Sequence, residues 1–326
     1  MSFKVSFRKS FFRLLTAITV VLCFSPSLVL AVDITSDTTI SSDVTTQQKI
    51  TADDVTVTID AEINFSVASM KVKAGQSGAS IIVNSGGTII CSTAAGNCYA
   101  VQAQTGTNVT ITNSGTIQAA DAYAIDVNKS TGATITNNAG GLIYAKRLGI
   151  HASNSLTSDV TLTNHGTVYI TTKKSVVNFS SASNVTLTNT GKIYRESGAL
   201  TTDNWSQSTI VLGSSSTLTN SGEIRNDASQ TLSSIYLSGN NNTIILKDEG
   251  IVTGVLTAAS GTLGNELQFD HGFGRTYFYE TSGDFTLKDL SGNTVVKGSA
   301  GSVSLGRQET VDELLGLRAF NLRSAL

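Results

Sequence analysis

VTITNSGTIQ at 109–118, VTLTNHGTVY at 160–169, VTLTNTGKIY at 185–194 and STLTNSGEIR at 216–225 are one phrase written four times. Looser copies stand at 81–90 (IIVNSGGTII) and 133–144 (ATITNNAGGLIY), and degenerate ones at 55–63 and 242–252. In the first half of the phrase apolar and polar residues alternate, as in a strand with one buried face. Val109 and Ile111 face one side and the threonines the other. The Asn-x-Gly that follows reads as a turn, because Asn and Gly tolerate left-handed backbone. A second short strand comes next, with Ile117, Val168, Ile193 or Ile224 facing in. A third recurs later in each repeat: YAVQA (99–103), YAIDV (123–127), LGIHA (148–152) and SVVNF (175–179).

Three short strands and three bends make one coil, and the recurrence interval of about 24 to 31 residues is that of a solenoid. Each strand type returns in the same orientation, so like strands stack in parallel at about 4.8 Å. The predicted fold is all-β: a right-handed parallel β-helix with three strands per coil. Stacked coils place identical side chains over one another. Asn84, Asn113, Asn137, Asn164, Asn189 and Asn220 are therefore expected to form an internal ladder of amide hydrogen bonds.

The composition suits buried strands. Charged residues make up only 14% of the 326, and Pro26 is the one proline. A chain rich in turns yet nearly free of proline keeps a backbone donor at almost every position, as sheet interiors require. The first 31 residues hold Lys4, Arg8, Lys9 and Arg13 and no acid, followed by the apolar run Leu14–Leu30. This reads as an export signal (residues 1–31) cut before Val32. Setting aside those four cations leaves 18 against 24 acids, a net charge of −6. That balance excludes a nucleic-acid partner, which needs clustered Lys and Arg. Cys91 and Cys98 remain after Cys23 leaves with the signal, and in an oxidising compartment they are expected to close a small disulfide loop.

The remaining boundaries follow. Residues 32–50, polar and Thr-rich, suit an N-terminal cap; the repeats occupy 51–260. Residues 261–306 carry hairpin signals and the aromatics Phe269, Phe273, Tyr277, Phe278, Tyr279 and Phe285, expected to plug the end of the stack. Residues 307–326 change to helical spacing, acids leading and arginines trailing, and are predicted to form a short terminal helix.

An export signal, a Thr/Asn/Gly-rich coil with T-N-x-G turns, an aromatic cap and the closing GRQETVDELLGLRAFNLRSAL together resemble the passenger domain of a bacterial autotransporter. The resemblance spans essentially the whole mature chain. It implies display at the outer-membrane surface or release to the extracellular space. It also implies a linker helix passing through an outer-membrane β-barrel translocator. No run of ten-residue lipid-facing strands precedes Leu326, so that barrel is expected in cis but beyond this sequence. The function implied is an adhesin-like or structural display module, touching a glycan or a surface protein and performing no catalysis.

The alternative is a secreted β-helix polysaccharide lyase or hydrolase. Aligning the third strands puts Gln102, Asp126, His151 and Asn178 in one column, with Asp121, Lys146 and Arg147 in adjacent bends. Asp126 and His151 are the only pair there suited to acid–base chemistry. The plainer expectation is a solvated polar face on which one charge pair stacks. There is no nucleophile-elbow or H-E-x-x-H motif, and no metal or cofactor is expected. Trp205, in the long insertion 197–208, is expected to pack locally or serve as a contact residue.

Overall fold

The structure is a computed structural model. It describes residues 31–93, 98–172, 174–196, 207–227, 232–248, 250–270, 276–290 and 300–304. The chain divides into residues 1–31 and 32–326. The predicted export segment and the predicted terminal helix both lie outside the described residues, apart from Ala31.

The second unit is a parallel β-helix. Three sheets run its length. The first has eleven strands, from Thr38–Ile40 to Thr286–Asp289; the second has eight, from Glu62–Phe65 to Ile251–Thr253; the third has twelve, from Val32–Ile34 to Ala300–Ser304. Successive coils pair in strict parallel register: Thr110–Asn113 meets Thr134–Asn137 residue for residue, and that strand meets Thr161–Asn164 in the same way. Inward positions in the first two sheets alternate with outward ones, so Ile111, Ile135, Leu162, Leu187 and Leu218 form one wholly buried column. In the second sheet Ile117, Ile143, Val168, Ile193 and Ile224 form another. Each of these side chains contributes roughly 1.5 to 3 kcal/mol of burial, most of it offsetting the cost of ordering the backbone.

Five asparagines build the ladder. Asn113 Nδ2 donates to Asn137 Oδ1, Asn137 to Asn164, Asn164 to Asn189 and Asn189 to Asn220, each at 2.8 Å. All five are fully buried. Each Nδ2 also points at the carbonyl of the glycine that ends its own turn, as Asn164 does at Gly166 O, 3.3 Å away. Asn84 is a correction. Its backbone is one residue past the ladder position, which Val83 fills opposite Asn113. Asn84 is exposed and donates to Asp60 Oδ1 at 2.6 Å instead. Leu246 occupies the column beyond Asn220, so the ladder runs between two apolar ends.

The left-handed residues also lie elsewhere than expected. None of the ladder asparagines has a positive φ. The left-handed column stands two residues before nine of the eleven first-sheet strands, all but the first and the last: Asp54, Gly78, Asn108, Gly132, Asp159, Asn184, Ser215, Asn241 and Gly264. There Asx and Gly are the residues that bear the conformation at least cost. The glycine of the T-N-x-G turn has a different cause, the close approach of the preceding coil's backbone.

At the two ends the parallel stacking reaches further than composition suggests. Residues 32–50, read as a cap, supply Val32–Ile34, Thr38–Ile40 and Gln48–Ile50, all joined in parallel. Thr286–Asp289, expected in a hairpin, instead extends the first sheet in parallel on Glu266–Phe269. One antiparallel pairing closes the third sheet, Thr276–Ser282 with Ala300–Ser304. Phe269, Tyr277 and Phe285 are buried at this end, whereas Phe278 is exposed. Phe273 and residues 291–299 of the expected hairpin region lie outside the described residues.

Cys91 and Cys98 are bonded, with Cα atoms 5.5 Å apart, across the bend from the second sheet to the third. In the next coil that bend is only the few residues between Ala119 and Tyr123. The disulfide thus closes an enlarged corner. Reduction should lower stability by about 2 kcal/mol, the loop-closure value for so short a ring. A urea midpoint unchanged by reductant would contradict this.

The second sheet carries one anomaly. In the inward column Ala119, Ala145, Ile170, the next residue is Arg195. Its guanidinium is fully buried, bonded to Lys174 O at 3.3 Å and to Asn226 Oδ1 at 3.1 Å. Its Nε has no partner. Burial pulls its pKa down to about 10, so the side chain is still a cation at neutral pH. It lies beside the insertion that holds Trp205, whose residues 197–206 lie outside the described set.

Candidate functional site

The third strands bring the polar column together as the alignment implies: Gln102 lies opposite Asp126, Asp126 opposite His151, and His151 opposite Asn178. The expected solvated face is not what forms there. Asp126 is fully buried, and the His151 side chain is 12% exposed. Two coils fold their polar side chains onto each other at this corner, and the carboxyl becomes a buried centre.

Asp126 Oδ1 accepts from the Asn128 N–H at 3.1 Å, and Oδ2 accepts from Gln104 Nε2 at 2.5 Å. This is the bonding of a carboxylate, which can only accept. His151 Nδ1 lies 3.1 Å from the same Oδ1. Nδ1 then carries a proton, and in the neutral form of the ring Nε2 is an acceptor. Ser153 Oγ lies 2.7 Å from Nε2, and its hydroxyl therefore donates to the ring. The resulting line is Asp126–His151–Ser153. It orients the imidazole at both nitrogens.

The ring is also held from one face. Tyr123 stacks on His151 with centroids 4.4 Å apart and planes 25° apart, and Tyr99 tilts onto Tyr123 at 5.3 Å. Burial first, and the Asp126 charge second, push both phenols above their usual pKa. Both tyrosines thus stay neutral donors through the physiological range. Asn128, on the coil before Ser153, has a buried Oδ1 without a partner. Among the described residues, the Asn154 and Ser155 N–H groups beside the hydroxyl make no hydrogen bond to protein.

The sequence reading found Asp126 and His151 and missed Ser153, Gln104 and the tyrosine stack. A signal for Ser153 was present: two residues past His151 along an extended chain is the same face. His165 is exposed, with Nδ1 2.6 Å from Thr190 Oγ1. Trp205 and His271 lie outside the described residues. Among those described, no cluster of three metal-ligating side chains occurs.

On the second sheet Tyr144, Tyr169 and Tyr194 stack outward, at 4.7 and 5.2 Å, and Arg225 caps the row 5.0 Å from the Tyr194 ring. Each ring covers its neighbour's face, so what this row offers to a ligand is ring edges and hydroxyls. No protein-family model, curated protein or solved structure matches the chain.

Proposed function

We propose that the chain is the surface passenger of an autotransporter, an adhesin-like display module that contacts a glycan or a surface protein. The observation that supports it most is the division of labour across each strand. Inward columns are filled by aliphatic side chains and the self-satisfied asparagine ladder. Outward columns repeat the same polar group from coil to coil: Thr110, Thr134, Thr161, Thr186 and Thr217 on one sheet, the tyrosine row on another. A lattice of hydroxyls repeated every coil suits weak, multivalent contact with a repeating polymer. The export-type N-terminus, the Cys91–Cys98 bond and the expected barrel translocator are consistent with passage through the periplasm.

The test is to couple the mature chain to beads and expose them to glycan arrays and to one another. Retention on a defined set of glycans, or bead clumping, is expected. It should weaken at least tenfold when Thr161, Thr186 and Thr217 are replaced together by Lys. Beads that neither clump nor retain any glycan or cell-surface protein would remove the proposal. The alternative of a secreted β-helix hydrolase is favoured by one observation, the Asp126–His151–Ser153 line.

A further inference from the structure

We infer that Ser153 is an activated nucleophile and that this corner of the β-helix carries out acyl transfer from carboxylic esters. The inference goes beyond the display reading and does not depend on it.

A serine hydroxyl attacks a carbonyl poorly unless a base takes its proton as the new bond forms. Here the base is in place. His151 Nε2 is 2.7 Å from Oγ and, in the neutral ring whose Nδ1 donates to Asp126, is the unprotonated nitrogen. The other nitrogen is held by a carboxylate, 3.1 Å away, that is buried and doubly hydrogen-bonded. That carboxylate fixes the tautomer and stabilises the imidazolium once it forms. The Tyr123 ring prevents the imidazole from swinging away. A merely structural polar stack needs none of this order. Asp126 could take its full set of donors from Gln104, Asn128 and the ring, with no hydroxyl at the far nitrogen.

The chemistry balances without a cofactor. Ser153 Oγ bonds to the acyl carbon as its proton passes to His151 Nε2. The carbon–oxygen bond to the alcohol then breaks, and the imidazolium returns the proton to the leaving oxygen. Water repeats the two steps on the acyl-serine, restoring the hydroxyl and releasing the acid. The Asn154 and Ser155 N–H groups, one and two residues on from Ser153 and without a protein acceptor, are free to donate to a developing oxyanion. Ser153 is half-exposed at the edge of a sheet. Such an open site favours esters over amides, because the alcohol leaves with less assistance than an amine.

The experiment uses the full mature chain with a fluorophosphonate probe and locates the adduct by peptide mass spectrometry. Activity on p-nitrophenyl acetate is followed in parallel. The adduct is expected on Ser153, with an acyl-enzyme burst. Both should be lost in Ser153→Ala, fall at least tenfold in His151→Gln, and persist in Ser85→Ala, which changes an exposed serine in a turn of another coil. His151→Gln keeps a polar group at the stack, and its urea midpoint shows whether it still folds. Asp126→Asn is the second variant: folded but tenfold slower supports the relay. The proposal fails if the parent labels no faster than Ser153→Ala. It also fails if Ser153 labels equally fast in folded His151→Gln. Either result leaves glycan retention by the beads unaffected, so the two readings are separately testable.

Discussion

Asn164→Asp should destabilise the protein by about 4 kcal/mol or more at pH 7, the range for an uncompensated buried charge. Asn164 stands mid-ladder. Its Nδ2 donates to Asn189 Oδ1 at 2.8 Å, to Gly166 O at 3.3 Å and to Lys192 O at 3.2 Å. Its Oδ1 accepts from Asn137 at 2.8 Å. An introduced carboxylate keeps the last bond and turns a negative oxygen toward three acceptors. Asn164→Leu should cost less, about 2 to 3 kcal/mol. It leaves Asn189 Oδ1 without its ladder donor but brings no charge, and Leu246 and Val83 already occupy this column elsewhere. The two variants must also differ with pH. Burial and the facing carbonyls disfavour the charged form of the introduced carboxyl, so its folded pKa lies above the unfolded value of about 3.9. The folded state then binds the extra proton, and stability falls as pH rises from the unfolded pKa through the folded one. Urea midpoints from pH 3 to 8 should therefore diverge for the Asp variant relative to Leu. Equal midpoints at pH 7, or parallel profiles, would refute the account.

The ladder also shows what the sequence could and could not reveal. Five of its six expected members were legible because the phrase T-N-x-G repeats with its strand. Asn84 misled because its copy, V-N-S-G-G, aligns on the double glycine with N-N-A-G-G at 137–141. Asn84 then matches Asn138, not Asn137, and both end the same kind of turn, with Gly87 N–H bonded to Asn84 O and Gly141 N–H to Asn138 O. Two extra turn residues between Val83 and Gly87, invisible to a match on Asn alone, leave Asn84 one position past the ladder, and along an extended chain one position moves the side chain to the other face. Arg195 was illegible for a different reason. Its neighbours along the chain follow the outward–inward alternation, and only the stacked column reveals that a cation has taken the place of Ala145 and Ile170. Burial of Asp126 was missed likewise. Alternation assigns a face, but whether that face is wet depends on what Gln104 and His151 fold over it, a property of two coils at once. The fold was carried by short repeated patterns; the candidate site is carried by contacts between coils.

Gly191→Ala is expected to cost about 3 to 5 kcal/mol, the upper range for substitutions that collide with packed structure. Its φ is not in the left-handed region, so an intrinsic backbone preference would count the change as harmless or slightly favourable. The obstacle is the coil beneath. A Cβ built at residue 191 would lie 2.1 Å from Gly166 O, 2.6 Å from His165 C and 2.8 Å from His165 O. All three are backbone atoms, and none can rotate aside. Relief requires the two coils to separate at this corner. That stretches the Lys192 N–H bond to Gly166 O, now 2.8 Å, and the ladder bond between Asn164 and Asn189. The same contact recurs at Gly115, Gly166 and Gly222, each within 2.3 Å of the preceding coil's glycine carbonyl. The T-N-x-G glycine is therefore a spacing requirement between stacked turns. Gly140→Ala supplies the control. Gly140 is left-handed, φ +84°, and a Cβ there meets nothing within 4 Å. It should cost only the left-handed penalty, about 1 to 2 kcal/mol. Because coils contribute nearly independently, the Gly191 variant should lose hydrogen-exchange protection first around Asn164–Tyr194 and only later at Ile59–Val83. If Gly140→Ala proves the more costly of the two, left-handed backbone and not close stacking explains these glycines.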